Sequence, residues 1–142
     1  MADSPVAFGQ PLAAELVLCR FPQDLRRPRP GPKERPAIIL RVYEAMPKEA
    51  FVRVQVCYGT SNLGRLYLHE FEILRSQHAD EFVSAGLSFD TKFDLRQQVT
   101  LPYTSEWFKV PERMPFGACP KLGVLHPLTV PRLVKAGRAA GL

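Results

Sequence analysis

The residues with the clearest chemical potential in this chain are the cations around Arg35. Residues 20–35 carry six basic side chains and two acidic ones, a local balance of +4, and the basic ones are Arg20, Arg26, Arg27, Arg29, Lys33 and Arg35. Residues 121–142 add four basic side chains and no acidic one. These local excesses favour an anionic partner such as nucleic acid, and an ordinary solvated loop explains them equally well.

Two hydroxyl groups, on Thr60 and Ser61, follow an apolar stretch in a Gly-Thr-Ser-Asn turn. These residue types suit a tight turn with local side-chain hydrogen bonds, so by themselves they indicate an ordinary polar turn. They gain chemical meaning only if the fold brings them beside an arginine. His69 lies in a later alternating run. A histidine held by a hydrogen bond is favoured there over a catalytic base.

Short strands must position these residues. Pro36 holds Arg35 in extended geometry and is followed by the apolar run 37–42, which predicts a buried strand. Residues 51–58 alternate apolar and polar side chains and predict its antiparallel partner. Further strands are predicted at 14–21, 65–74, 87–95 and 98–101, and a helix at 128–136 with Pro131 in its first turn. Five or six antiparallel strands with one terminal helix fit a small barrel.

Length and composition set the remaining limits. The chain has 142 residues, 46% of them hydrophobic, which suffices for one domain with a core. Cys19, Cys57 and Cys119 are widely spaced, so neither a disulfide framework nor a zinc site is indicated. No apolar run is long enough to span a bilayer and the N-terminus does not look like a signal peptide, so we expect a cytoplasmic protein. Nucleotide-binding, metalloprotease and serine-hydrolase motifs do not occur.

Four features in order resemble the PemK/MazF family of toxins. They are a strand ending at Pro22, a basic loop rich in proline, an Arg35-Pro36 pair before an aliphatic strand, and a strand closing in Thr60-Ser61-Asn62. The similarity covers roughly residues 14–74. It implies an SH3-like antiparallel β-barrel, a homodimer, and a metal-independent endoribonuclease that cleaves single-stranded RNA, needs no cofactor and is silenced by an antitoxin protein.

The resemblance also implies roles for individual residues. It assigns catalysis to Arg35, Thr60 and Ser61, and RNA binding to Arg26, Arg27, Arg29, Lys33, Arg65 and Lys92, with no metal ligand. It identifies no general base, because the loop is stiffened by prolines and places Glu34 directly beside Arg35.

The domain organisation is expected to have three parts. They are a poorly ordered lead-in at 1–13, the barrel at 14–102, and a C-terminal extension with the helix at 103–142, packed on the same domain. The resemblance does not explain this extension. The alternative function is a non-catalytic barrel of the same fold that binds nucleic acid or protein.

Overall fold

The computed structural model describes residues 4–142 and is mainly β. One six-stranded sheet, antiparallel throughout, has the order β4-β5-β3-β2-β1-β6 and curls into a half-barrel. In chain order the elements are β1 Glu15–Cys19, β2 Arg35–Tyr43, β3 Arg53–Thr60, β4 Glu70–Ile73, α1 Ala79–Ser84, β5 Thr91–Pro102, β6 Lys121–Val124 and α2 Val130–Ala139. Within the described residues, neither helix is long and apolar enough to cross a membrane.

The predicted fold class, mainly β with a C-terminal helix, is confirmed, whereas some element boundaries differ. The strand predicted at 65–74 begins only at Glu70, because a turn precedes it. That turn is closed by the Glu70 backbone N–H, which donates to the Tyr67 carbonyl at 3.0 Å, and by the Glu70 carboxylate, which accepts from the Tyr67 N–H at 2.8 Å. The segments 87–95 and 98–101, predicted as two strands, belong largely to the single long strand β5.

The sheet has a hydrophobic core on each face. The first core is covered by the helices, and its members include Leu16, Ile38, Cys57, Phe71, Phe93, Phe82 and Ala136. The second core is covered by aromatic residues after β5, and its members include Val17, Ala37, Ile39, Val56, Tyr103, Trp107 and Phe108. Residues of the predicted extension therefore pack on both faces, and β6 pairs with β1 in the sheet.

The lead-in residues that the structure describes contact the same aromatic cluster. The Phe8 N–H donates to the Tyr103 carbonyl at 3.1 Å, and the two rings pack edge to face with centroids 5.6 Å apart. Ala7 also forms an isolated antiparallel bridge with Thr104. The first three residues of the predicted lead-in lie outside the described residues.

A buried polar contact fixes α2 against α1. The Glu81 carboxylate accepts hydrogen bonds from the Thr129 hydroxyl and the Arg132 guanidinium, both at 2.6 Å, and Arg132 also donates to the Glu72 carbonyl at 2.9 Å. Burial by itself would raise the pKa of Glu81, but these hydrogen bonds and the charge of Arg132 outweigh it and hold the pKa below its usual range. Glu81 is therefore ionised at neutral pH and stabilises the docked helix.

We expect Thr129→Val to lower the free energy of unfolding by about 1.5–3 kcal/mol at pH 7, because it removes a hydrogen bond to a charged, buried group. Denaturant unfolding measures this difference. The contribution of Glu81 is present above the unfolded-state pKa of about 4.3 and is lost as pH falls through the lower folded-state pKa, so the difference shrinks in acid. The control is Thr100→Val, an exposed threonine of β5. Equal stability of Thr129→Val and wild type at pH 7 would contradict the assignment.

Candidate active site

The pairing of β2 with β3 brings the predicted arginine and threonine together. Ala37 lies opposite Tyr58, and the same antiparallel register places Arg35 opposite Thr60. Arg35 Nη1 donates to Thr60 Oγ1 at 3.4 Å. The two residues are 25 positions apart in the chain, and the strand register alone makes them neighbours.

Gly59 lets the strands approach closely enough for this contact. A β-carbon at position 59 would lie 2.3 Å from the Pro36 carbonyl oxygen and 2.8 Å from the Phe93 ring, which are impossible distances. Any larger residue would push β3 away from β2 or β5. The glycine before Thr60 is therefore a requirement of packing.

Arg35 is oriented by an aromatic ring that the sequence analysis did not select. Its guanidinium carbon lies 5.6 Å from the centroid of the Tyr58 ring, in a cation–π arrangement, and Phe21 packs against the same ring with centroids 5.1 Å apart. Tyr58 lies two residues before Thr60, so the two side chains are on the same face of β3. The period-2 alternation of the strand was the sequence signal that could have identified Tyr58 as part of the site.

The hydrogen bonds of Thr60 leave its proton available. Thr60 is only 7% exposed, and its oxygen accepts from Arg35 and from the Asn62 backbone N–H at 3.1 Å. With both acceptor positions occupied, the hydroxyl can donate its own proton to a further acceptor. Ser61 is exposed and follows directly, so a second hydroxyl lies at the same strand end.

Arg35 and Lys33 line two adjoining clefts. The first, of about 300 Å³, also contains Thr60 and Ser61 and is closed on one side by residues 86–89. The second, of about 480 Å³, is also lined by Phe21, Pro22, Gln23, Pro32, Tyr58, Asp94 and Gln97. The shared cations make the junction between the clefts positively charged, which suits an extended anionic chain.

The remaining predicted RNA-binding residues lie in two other places. Arg26, Arg27 and Arg29 are exposed on the loop before β2, and neither cleft is lined by them; Arg26 lies 3.7 Å from Asp24.

Arg65 and Lys92 lie together, because Lys92 Nζ donates to the Arg65 carbonyl at 3.1 Å. Lys92 is opposite Thr60 in the register of β3 and β5, but its ammonium is engaged by Glu70 Oε2 at 3.1 Å.

Two groups beside the site have shifted pKa values. The hydrogen bond from its own backbone N–H, aided by the charge of Lys109 at 3.5 Å, lowers the pKa of Glu34, so this neighbour of Arg35 is ionised and weakly basic. Burial raises the pKa of the Cys57 thiol, which donates to the Asp94 carbonyl at 3.2 Å. Cys57 is therefore a neutral, buried side chain that packs as a small apolar residue.

We expect Gly59→Ala to lower the free energy of unfolding by about 1–3 kcal/mol through overpacking and to separate Arg35 from Thr60. Thermal unfolding measures the first effect, and a crystal structure of the variant the second. Gly9→Ala is the matched control, since a β-carbon there meets nothing within 4 Å. A Gly59→Ala variant with unchanged stability and an intact Arg35–Thr60 contact would show that the close packing has no such role.

Comparison with known proteins gives structural likeness without sequence likeness. No family model and no curated protein matches the chain. Among solved structures, Mycobacterium tuberculosis toxin MazF-mt6 superposes with a TM-score of 0.55 at 16% identity, covering 89% of this chain and 95% of the toxin. An endoribonuclease in complex with its cognate antitoxin, from a mycobacterial species, gives a TM-score of 0.55 at 18% identity, covering 93% and 96%. The chain therefore has the fold of the MazF toxins, as its resemblance to the PemK/MazF family implies.

Proposed function

We propose that this protein is a toxin of the PemK/MazF type, an endoribonuclease that cleaves single-stranded RNA at the junction of the two clefts. The observation that carries the proposal is the contact between Arg35 and Thr60, at the strand ends where the family resemblance locates its arginine and hydroxyl residues. The shared fold with a MazF toxin supports the same reading.

RNA supplies its own nucleophile. The 2′-hydroxyl attacks the adjacent phosphorus, a pentacoordinate phosphorane forms, and the 5′-oxygen of the next nucleotide leaves, so that the products carry 2′,3′-cyclic phosphate and 5′-hydroxyl ends. The reaction needs an in-line orientation of the 2′-oxygen and donors for the charge that develops on the phosphorane oxygens. A metal ion is not required for either task.

Arg35 and Thr60 fit these two tasks. The guanidinium can donate two parallel hydrogen bonds to the non-bridging oxygens of the scissile phosphate, and its position over Tyr58 limits its rotation. The Thr60 hydroxyl has a free proton to donate to the same phosphate, and Ser61 adds a second hydroxyl at the cleft. Charge stabilisation by preorganised donors is the main catalytic effect in this scheme.

Proton transfer from the 2′-hydroxyl is not assigned to a side chain. Glu34 is the carboxylate next to Arg35, but its lowered pKa makes it a weak base and its carboxylate lies against Lys109. Orientation and charge stabilisation therefore carry the proposed rate enhancement.

The RNA chain extends from this junction along positive surface. Lys33 lines both clefts, and Arg26, Arg27 and Arg29 lie on the exposed loop that leads to it. Such cations bind phosphates without reading the base sequence. Arg65 and Lys92 are the remaining members of the proposed RNA-binding set, and Lys92 lies on β5, across Thr60 from Arg35.

Two assembly partners belong to the proposal. A homodimer and a silencing antitoxin protein are implied by the family resemblance, and one of the similar structures is an endoribonuclease bound to its cognate antitoxin. The proposed place of action is the cytoplasm, where the substrate RNA is found.

The test of the proposed activity is cleavage of single-stranded RNA in the presence of EDTA. We expect wild type to produce 2′,3′-cyclic phosphate ends. Arg35→Ala or Thr60→Val should lower the cleavage rate by about 100-fold or more, because removal of one preorganised hydrogen-bond donor has an effect of this size in other enzymes. The matched control is Arg41→Ala, an exposed arginine of the same strand, which should cleave at the wild-type rate.

The outcome distinguishes the endoribonuclease from the alternative function, a non-catalytic barrel that binds nucleic acid or protein. Pure wild-type protein that binds RNA but leaves it intact would reject the endoribonuclease and establish a non-catalytic binding barrel. Cleavage that persists in Arg35→Ala would reject the proposed site.

The role of the exposed loop is tested by the salt dependence of RNA binding. Each phosphate contact on single-stranded RNA adds about 0.7 to the slope of log K against log salt concentration. We expect the triple variant R26A/R27A/R29A to reduce this slope by about 2, measured with an uncleavable 2′-deoxy substrate. The control R41A/R138A removes two cations that line a different cleft, beside α2. An unchanged slope in the triple variant would show that the loop does not bind the phosphates.

A further inference from the structure

A cluster of three metal-ligating side chains lies where β4 pairs with β5. Glu70 opens β4 directly after His69, and Asp94 lies opposite Glu70 on β5. One ligand atom of each residue lies within 4.8 Å of the other two. The side chains are largely shielded, with exposed fractions of 16% for His69, 6% for Glu70 and 18% for Asp94.

The spacing of two of these groups matches a tetrahedral ion. His69 Nε2 and Asp94 Oδ1 are 3.5 Å apart, at the outer limit of a hydrogen bond. Two ligand atoms on a tetrahedral zinc ion, each about 2.0–2.1 Å from the metal, lie about 3.3 Å from each other. The Tyr67 ring stacks on the His69 ring at 5.7 Å and orients it.

The charge of the cluster is incompletely neutralised. Lys92 pairs with Glu70 at 3.1 Å, and Glu70 also accepts from the Tyr67 N–H. Within residues 4–142, the only ion-pair partner of Asp94 is His69, and Asp94 Oδ1 otherwise accepts from the Arg96 N–H at 2.9 Å. Within the described residues no lysine or arginine pairs with the shielded Asp94 carboxylate, and this arrangement favours a cation at this place.

We propose that His69 Nε2 and carboxylate oxygens of Glu70 and Asp94 bind a divalent transition-metal ion of the zinc type. Binding displaces the Lys92 ammonium from Glu70, so that the Glu70 carboxylate can close the remaining distance to the ion. Three protein ligands leave a fourth position open, as in zinc sites that keep a water molecule. Asp94 also lines the larger cleft, so the ion can enter from solvent.

The zinc proposal does not rest on the proposed RNA cleavage, although Lys92 belongs to the proposed RNA-binding set and Asp94 lines the larger cleft. The attack by the 2′-hydroxyl uses Arg35 and Thr60 and no metal, and zinc binding is measured without RNA. A chain that binds zinc but cleaves nothing, or cleaves RNA but binds no zinc, distinguishes the two proposals.

The test is calorimetric titration of zinc into EDTA-stripped and desalted full-length protein. All variants carry Cys119→Ser, because Cys119 is a partly exposed free thiol that could bind zinc by itself. We expect one zinc ion per chain, and a loss of affinity of about tenfold or more in His69→Ala and in Asp94→Asn. Lys92→Met should bind zinc more tightly than the parent, because the competing ammonium is gone.

Two controls make the result decisive. His126→Ala removes a histidine outside the cluster and should leave the affinity unchanged, and thermal unfolding without metal verifies that each variant is folded. The proposal is overturned if the parent binds no zinc, if His69→Ala and Asp94→Asn bind it as the parent does, or if Lys92→Met binds it more weakly. The gain expected in Lys92→Met cannot arise from misfolding.

Discussion

The register between β2 and β3 is the constraint on which the candidate site depends. Arg35 and Thr60 meet only because Ala37 lies opposite Tyr58, and a slip of one residue would turn one side chain to the other face of the sheet. Gly59 permits this register, since a β-carbon there would clash with the Pro36 carbonyl oxygen of β2 and with the Phe93 ring of β5. The geometry of the site is thus set by backbone pairing and is held by both cores.

The segments around the sheet cover both of its faces. Aromatic residues after β5 cover one face, and the helices cover the other, where Glu81 joins α1 to α2. Residues 103–142 therefore stabilise the sheet from both sides, besides adding β6 at its edge. A C-terminal segment that the family resemblance did not explain takes part in the core of the same unit.

Sequence reasoning selected Arg35 and Thr60, which the structure places in contact, but it did not reveal the contacts around them. Pro36 and the apolar run after it predict a strand entered at Arg35, and alternation predicts a strand at 51–58, because both signals are local. The structure extends this second strand to Thr60, which the sequence had placed in the turn. The position of Arg35 over Tyr58 and the capture of Lys92 by Glu70 arise from strand pairing, which the pattern of one segment does not encode. The strand predicted at 65–74 was too long at its start, since the alternation there could not reveal that the Glu70 side chain closes a turn on Tyr67.

In the proposed function, the three loop arginines that lie outside the clefts bind phosphates of the approaching RNA. Prolines at 22, 28, 30 and 32 restrict the unfolded as well as the folded loop, so holding these charges in place requires little loss of entropy. Exposed charges outside a binding cleft mainly raise the frequency of productive encounters with an oppositely charged polymer, and they change residence time less. In the proposed function, the loop would therefore govern mainly the rate of RNA association and the clefts its residence time, so that different residues would set the two quantities.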